Sequence, residues 1–269
     1  MIDFDYPEAE YHRPPALSAT GAKLILDSPA KFNYRINQQH PERKAVFDLG
    51  SAVHAKVLGT GWGIEELDFP DFRTKAAQQA RDEAYAAGLI PMLSKDLDGV
   101  KAVSDSVLAH PTARMLFEQD GHAEVSVFAE DEQGTQLRCR FDFLPDDHRV
   151  AVDLKTTSKK ADARGFASSA ASYGYDVQEG HYIDTLKYAT GDVAAMVFVV
   201  VEVEPPYLVG VHQLDRDFRD MGHVKAAVAR DRFRRCIDAD EWPGYPTEIQ
   251  LVQPPVWATY DYQDNYGGS

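Results

Sequence analysis

From His122 to Lys155 the sequence alternates apolar and polar residues with a period of two, broken at Asp131-Glu132-Gln133-Gly134 and at Pro145-Asp146-Asp147-His148. A period of two belongs to extended strands, and short clusters of Asp, Gly and Pro belong to turns. The segment therefore predicts a three-stranded antiparallel meander. Its first strand runs from His122 to Glu130. In its second, Leu137, Cys139, Phe141 and Phe143 share one face, while Arg138, Arg140 and Asp142 share the other. In its third, Val150, Val152 and Leu154 oppose Ala151, Asp153 and Lys155. Such a sheet constrains the whole fold, because a one-residue slip in register would turn every side chain to the wrong side.

Helical signals surround the meander. Ser18 is placed to cap a short helix to about Leu26, and Ser28-Pro29 opens another with proline at the first helical position. Gly50 to Gly59 reads as a helix carrying His54. Arg73 to Ala87 is an Ala-rich helix stopped by Gly88, and Ser94 is placed to cap one that ends at His110-Pro111. After the meander come helical segments over Ala161–Ser172 and Asp176–Ala189, and strands over Val193–Val203 and Tyr207–Leu214. A long helix, capped by Asp215, follows with Phe218, Met221, Val224, Val228 and Phe233 as its buried stripe. The organisation predicted is an irregular arm (residues 1–15), a single α/β domain (16–242) and an extended tail (243–269).

The meander's register brings acids together. If Glu130 pairs with Gln136, Glu124 stands opposite Asp142. If Pro145 pairs with His148, Asp142 faces Ala151 and Asp153 is its diagonal neighbour, roughly 7–8 Å away. Glu124, Asp142 and Asp153 then gather on one exposed face, with Lys155 two residues along it. Asp is poor in strands, and three carboxylates repel one another. Oxygen ligands of this kind suit a hard divalent cation.

At this point the sequence resembles a known superfamily. Phe141-Asp142 followed by Val152-Asp153-Leu154-Lys155-Thr156-Thr157 is similar to the Asp…(Asp/Glu)-x-Lys signature of the PD-(D/E)xK nucleases. GSAVHAKVLG resembles the histidine helix of their RecB-like branch, and Gln178-Glu179-Gly180-His181-Tyr182 its Gln-x-x-x-Tyr motif. LSATGAKLILDSPAKF, Tyr173-Gly174-Tyr175-Asp176-Val177-Gln178 and Trp242-Pro243-Gly244-Tyr245 resemble the exodeoxyribonuclease VIII (RecE) C-terminal domain and its phage relatives. The resemblance implies a restriction-endonuclease-like core of order α-β-β-β-α-β, with a mixed sheet flanked by helices. It implies Asp142 and Asp153 as metal-binding acids, His54 as a further ligand, a backbone carbonyl from Leu154, and Glu124 as the upstream acid. It implies Lys155 as the residue that orients or polarises the attacking water, Gln178 as holding the DNA backbone or that lysine, and Tyr182 as the last residue of the motif, one helical turn from Gln178.

The activity implied is Mg²⁺-dependent exonucleolytic hydrolysis of linear double-stranded DNA from the 5′ end, with Mn²⁺ able to substitute. The alternatives are an endonuclease of the same superfamily or an inactive DNA-binding scaffold. The implied setting is phage or prophage recombination in a bacterial cytoplasm, with a single-strand annealing protein as partner and a ring, a trimer or tetramer, as assembly.

Charge and cysteine content limit the remaining possibilities. With 28 Lys and Arg against 43 Asp and Glu, the net charge is −15, so bulk attraction to a polyanion is excluded and DNA must meet a local basic channel. Arg138, Arg140, Lys159, Lys160 and Arg164 are the residues expected to line it. Ser18, Thr20 and Lys23 are candidates for a terminal-phosphate pocket, from the resemblance of the N-terminal helix. Cys139 and Cys236 are too few for the four-cysteine iron–sulfur cluster of some relatives, so none is expected. The longest apolar run, Val193 to Val201, is too short for a membrane span, and the first residues lack the apolar core of a secretory signal.

Overall fold

The computed structural model describes residues 1–12, 15–37, 45–60 and 63–267. In chain order the elements are β1 (Ile2–Asp3), α1 (Glu8–Tyr11), α2 (Ala19–Asp27), α3 (Pro29–Ile36), α4 (Ala45–Leu58), β2 (Ile64–Leu67), α5 (Lys75–Ala86), β3 (Ile90–Leu93), α6 (Ser94–Ala109) and α7 (Pro111–Phe117). Then follow β4 (Gly121–Glu130), β5 (Gln136–Pro145), β6 (Val150–Thr157), α8 (Ala163–Tyr173), α9 (Tyr175–Thr190), β7 (Ala195–Glu202), β8 (Val209–His212), α10 (Arg216–Ala239) and α11 (Val256–Asn265). The main sheet has the order β1-β4-β5-β6-β7-β8, and β2 and β3 pair separately. Among the described residues, the main sheet's strands pair antiparallel except β6 with β7, which are parallel. A parallel pair needs a crossover connection, and α8 with α9 supplies it. The expected meander, crossover and mixed sheet are therefore all present. Among the described residues no helix is long and apolar enough to cross a membrane.

The helix starts follow their capping residues. Ser18 Oγ accepts from Gly21 N–H, Asp162 Oδ1 from Gly165 N–H and Asp215 Oδ1 from Phe218 N–H, each satisfying a donor that lacks a partner within the helix. Pro111, read as the end of α6, instead opens α7, because proline fits the first turn of a helix. The segment read as an irregular arm contributes an edge strand, with Ile2 opposite Val127 and Asp3 opposite Ser126. The segment read as an extended tail contains α11. Arg13 and Pro14 of the arm, and residues 268–269 of the tail, lie outside the described residues.

The stripe expected on α10 is displaced. Met221 and Val224 are 47% and 64% exposed and Val228 is exposed as well, whereas Gly222, Ala226, Ala229, Phe233 and Cys236 are buried. The cause is a close helix crossing. A Cβ built on Gly222 would lie 2.1 Å from the Asp176 carbonyl oxygen, and one on Gly180 would lie 2.6 Å from the Gly222 carbonyl carbon. Helix α10 must therefore present its small residues to α9.

Two apolar layers sandwich the sheet. Val125, Val127, Cys139, Phe141 and Phe198 pack with Phe166 and Ala170 of α8 and Ile183 and Leu186 of α9. On the other side Phe143, Val152, Leu154 and Val199 pack with Ala52 and Val53 of α4 and with Val100, Val103 and Val107 of α6. Phe141 and Phe143 thus lie in different layers, not on the one face expected for them. Likewise Val125 joins the first layer while Ala123 packs against the second. The alternation slips by one residue in both strands at Glu124 and Asp142. The register does not: Ala123 opposes Phe143, Val125 opposes Phe141, and Glu130 opposes Gln136 as expected. Glu124 accomplishes the change with a left-handed backbone, φ 56°, which non-glycine residues adopt rarely.

Candidate active site

The second hairpin differs from its expected register by two residues. Phe143 pairs with Val152, so Asp142 stands opposite Asp153 and not Ala151. His148 adopts φ 52° and lengthens the connection from two residues to four. A shift of two preserves the facing of the β6 side chains, and Asp142 and Asp153 remain neighbours whose charges interact.

Asp142 Oδ2 accepts a hydrogen bond from the Leu154 N–H at 2.7 Å. That N–H is the contact through which Leu154, expected to offer its carbonyl, meets this acid. Asp153 is only 2% exposed, so it does not lie on the exposed face that its strand pattern predicted. The α8–α9 crossover covers it. Its Oδ1 accepts from Gln178 Nε2 at 2.6 Å, and its Oδ2 is ion-paired with Lys155 Nζ. Burial alone would lower the Lys155 pKa, but the Asp153 and Asp142 carboxylates outweigh burial and raise it, so Lys155 is a cation at neutral pH.

His54, on α4, brings Nδ1 to 3.6 Å from Asp142 Oδ2. One potential ligand atom from each of His54, Glu124 and Asp142 lies within 4.8 Å of the other two. Asp153 stands outside this trio, occupied by Gln178 and Lys155. An imidazole nitrogen with carboxylate oxygens is a donor set suited to Mg²⁺ or Mn²⁺. The electrostatics agree with that fit. Burial, with the charge of Asp153, raises the Asp142 pKa despite His54, Lys155 and the Leu154 N–H, and a divalent cation would offset this penalty. The residues present therefore fit a metal ion.

Gln178 and Tyr182 lie one turn apart on α9, and neighbours at that spacing share a helix face. The Tyr182 ring packs edge-on to Phe141 at 5.1 Å. Burial, reinforced by Tyr11, Cys139 and the two aspartates, pushes its hydroxyl pKa well up, so it remains a neutral phenol. Two further residues at the centre were not legible as partners of Lys155. The Tyr175 ring lies 5.1 Å from Lys155 Nζ and 5.7 Å from Lys23 Nζ. Burial, then the charge of Lys155, lowers the Lys23 pKa to about 8. The signal for Tyr175 was present in Tyr173-Gly174-Tyr175, but its position beside Lys155 depends on how α9 packs.

The basic residues divide into two groups. Arg138 and Arg140, expected to line a DNA channel beside Asp142, hold the N-terminal segment. Their guanidinium carbons lie 5.4 and 4.3 Å from the Tyr11 ring centroid. Arg140 also donates to Ser126 Oγ at 2.9 Å and to the Tyr6 carbonyl at 2.8 Å. Lys159, Lys160 and Arg164 are exposed just after β6. Of the terminal-phosphate candidates, Ser18 uses its oxygen as a helix cap, Thr20 is exposed in the first turn of α2, and Lys23 Nζ donates to the Tyr173 carbonyl at 3.0 Å.

A family model described as a PDDEXK-like domain of unknown function (DUF3799) matches residues 18–255. No curated protein matches the chain. Among solved structures, a protein from Eubacterium rectale provisionally named an exonuclease is similar with a TM-score of 0.63 at 13% identity, over 98% of this chain and 97% of that one. A phage-related exonuclease from Haemophilus somnus 129PT gives a TM-score of 0.35 at 11% identity, over 84% and 96% of the two chains. An alkaline exonuclease from Laribacter hongkongensis gives 0.29 at 13% identity, over 72% and 93%. The first likeness shows a shared fold, which with the family match is restriction-endonuclease-like.

Proposed function

This chain belongs to the DUF3799 family of PDDEXK-like domains, and on that premise we propose that it is a Mg²⁺-dependent exonuclease hydrolysing linear double-stranded DNA from the 5′ end. The observation that carries the reading is the juxtaposition of Asp142 and Asp153 across adjacent strands, with Lys155 on Asp153 and with His54 and Glu124 gathered at Asp142. His54, Glu124 and Asp142 are the groups gathered to hold the ion, with Asp153 and its Lys155 partner beside them. A divalent metal bound there supplies a bound water of lowered pKa and a counter-charge for the phosphate.

The protein's own groups have separate tasks. Lys155 carries a full positive charge in a largely water-excluded position, and there it orients the attacking water and stabilises charge developing on the phosphate. Gln178 fixes the Asp153 carboxylate so that Lys155 is aimed outward from it. Lys159, Lys160 and Arg164 give the acidic protein a local attraction for the DNA backbone. The resemblance extends the proposal to recombination in a phage or prophage, a single-strand annealing partner and a ring-shaped assembly.

Digestion of end-labelled linear duplex, labelled in turn at the 5′ and 3′ ends, with and without EDTA, tests the reading. The expected result is metal-dependent release of the 5′ label as mononucleotide and no cutting of a covalently closed circle. Cutting of the circle would make the protein an endonuclease. Absence of cutting with Mg²⁺ or Mn²⁺ would refute catalysis.

A further inference from the structure

Tyr173 ends α8 with 51% of its surface exposed. Gly174 follows in a left-handed conformation, φ 65°, and Tyr175 opens α9 at once. The turn sets the two rings side by side, with centroids 5.9 Å apart. The inner ring, Tyr175, is stacked on Phe198 at 5.9 Å and lies 5.1 Å from the Lys155 ammonium. The outer ring, Tyr173, has Lys159 Nζ 5.1 Å from its centroid, and its carbonyl is held by Lys23 Nζ. A path of two rings thus leads outward from Lys155 and ends on an exposed aromatic surface beside the ammonium groups of Lys159 and Lys23.

A single exposed tyrosine means little by itself. Aromatic rings interleaved with cations are how proteins hold single-stranded nucleic acid: bases stack on the rings while the cations follow the phosphates. A base inside a duplex has both faces covered by its neighbours, whereas an unpaired base offers its faces to a side chain without unstacking a pair. Resting on the nuclease reading above, we propose that Tyr173 is the stacking platform for an unpaired base of single-stranded DNA, at a frayed end or overhang, with Lys159 on the adjoining phosphate. The site would then engage a strand already separated from its complement, with the platform holding it outside the Asp142–Asp153–Lys155 centre.

Binding of a 5′-fluorescein oligothymidylate in Ca²⁺, followed by anisotropy, tests this without depending on turnover. The variants are Tyr173→Ser and Tyr173→Trp, each checked for an unchanged melting temperature, which the exposed position of Tyr173 favours. The second probe is the same oligonucleotide with abasic residues throughout. Tyr173→Ser is expected to weaken binding of the normal strand by roughly ten- to a hundredfold, while Tyr173→Trp retains it. On the abasic strand all three proteins should bind alike. An equal loss on both strands, or no loss on either, overturns the stacking platform. Binding with the expected pattern but no cleavage in Mg²⁺ or Mn²⁺ would uphold the platform and refute the nuclease reading. Absence of any binding by the parent protein would overturn the platform directly.

Discussion

Replacing Lys155 by Met keeps the aliphatic stem and deletes the charge. The Lys155 side chain is 20% exposed and that of Asp153 only 3%, so the pair is largely withdrawn from water. Without the ammonium, Asp142 and Asp153 face each other across two strands, and His54, Gln178 and the Leu154 N–H are left to stabilise them. Stranding a buried charge in this way costs about 3–5 kcal/mol. For a chain of 269 residues, an unfolding entropy of roughly 2.1 cal/mol/K per residue converts that cost into a fall in melting temperature of about 5–9 °C. The fall should be largest near pH 7.5 and shrink toward pH 5, because burial raises the Asp142 pKa and protonating that carboxyl removes the repulsion. It should also shrink in Ca²⁺, which can take the place of the missing cation at the acids. Thermal unfolding of parent and variant in EDTA and in Ca²⁺, at both pH values, measures each effect. A variant that melts like the parent in EDTA, or whose deficit ignores both Ca²⁺ and pH, refutes the reasoning.

The same glycine substitution should act with opposite signs at two helix positions. Gly99 in α6 has open space where a Cβ would stand, so Gly99→Ala should stabilise by about 0.5–1 kcal/mol through helix propensity. Gly222→Ala must push α10 away from α9 and should destabilise by about 1–3 kcal/mol, lowering nuclease activity by moving Gln178 and Tyr182; urea unfolding compares the two. His181 is fully buried, and burial lowers its pKa to about 4 from 6.5. A depressed histidine pKa means that the unfolded chain binds the proton more readily, so stability is lost as pH falls below about 6.5. The contribution of His181 to that loss between pH 7.5 and pH 5 should be about 2 kcal/mol, read as the difference between the stability profiles of the parent and of His181→Asn.

How far the sequence reveals the fold depends on what sets each feature. The first hairpin register was legible because Asp131 and Gly134 build a local turn: the Asp131 carboxylate accepts from the Gln133 and Thr135 N–H groups. The second was not, because its length depends on His148 adopting a left-handed backbone, which Pro-Asp-Asp-His does not specify. The error of two residues left the acids on their face, and so the centre remained readable. The α10 stripe failed for a different reason. Apolar content suggested Met221 and Val224, but the approach of α9 selected the residues with the smallest side chains. Tyr175 and Lys23 reach Lys155 from helices distant in sequence, and no period or spacing reports that meeting. Asp142, Asp153 and Lys155 were legible because charged residues in a strand violate propensity and a violation there signals a purpose.

The slip in alternation at Glu124 connects this geometry to the chemistry. Beyond it β4 and β5 bury side chains against α9; before it they bury them against α4 and α6. Some residue must absorb the change of face, and the one that does so also offers a carboxylate to the trio with His54 and Asp142. An L-residue in the left-handed region carries a penalty of roughly 1 kcal/mol, from which glycine is exempt. Glu124→Gly and Glu124→Ala both delete the carboxylate, and they differ only in that penalty. The glycine variant should therefore be the more stable of the two by about 1 kcal/mol, the reverse of the ordinary order in a strand interior. Both should lose metal affinity to the same degree by isothermal titration with Mn²⁺. Equal stabilities, or alanine above glycine, would mean that the left-handed turn at Glu124 is not what reorients the sheet. A metal affinity that survives both changes would remove Glu124 from the ligand set while leaving its backbone role intact.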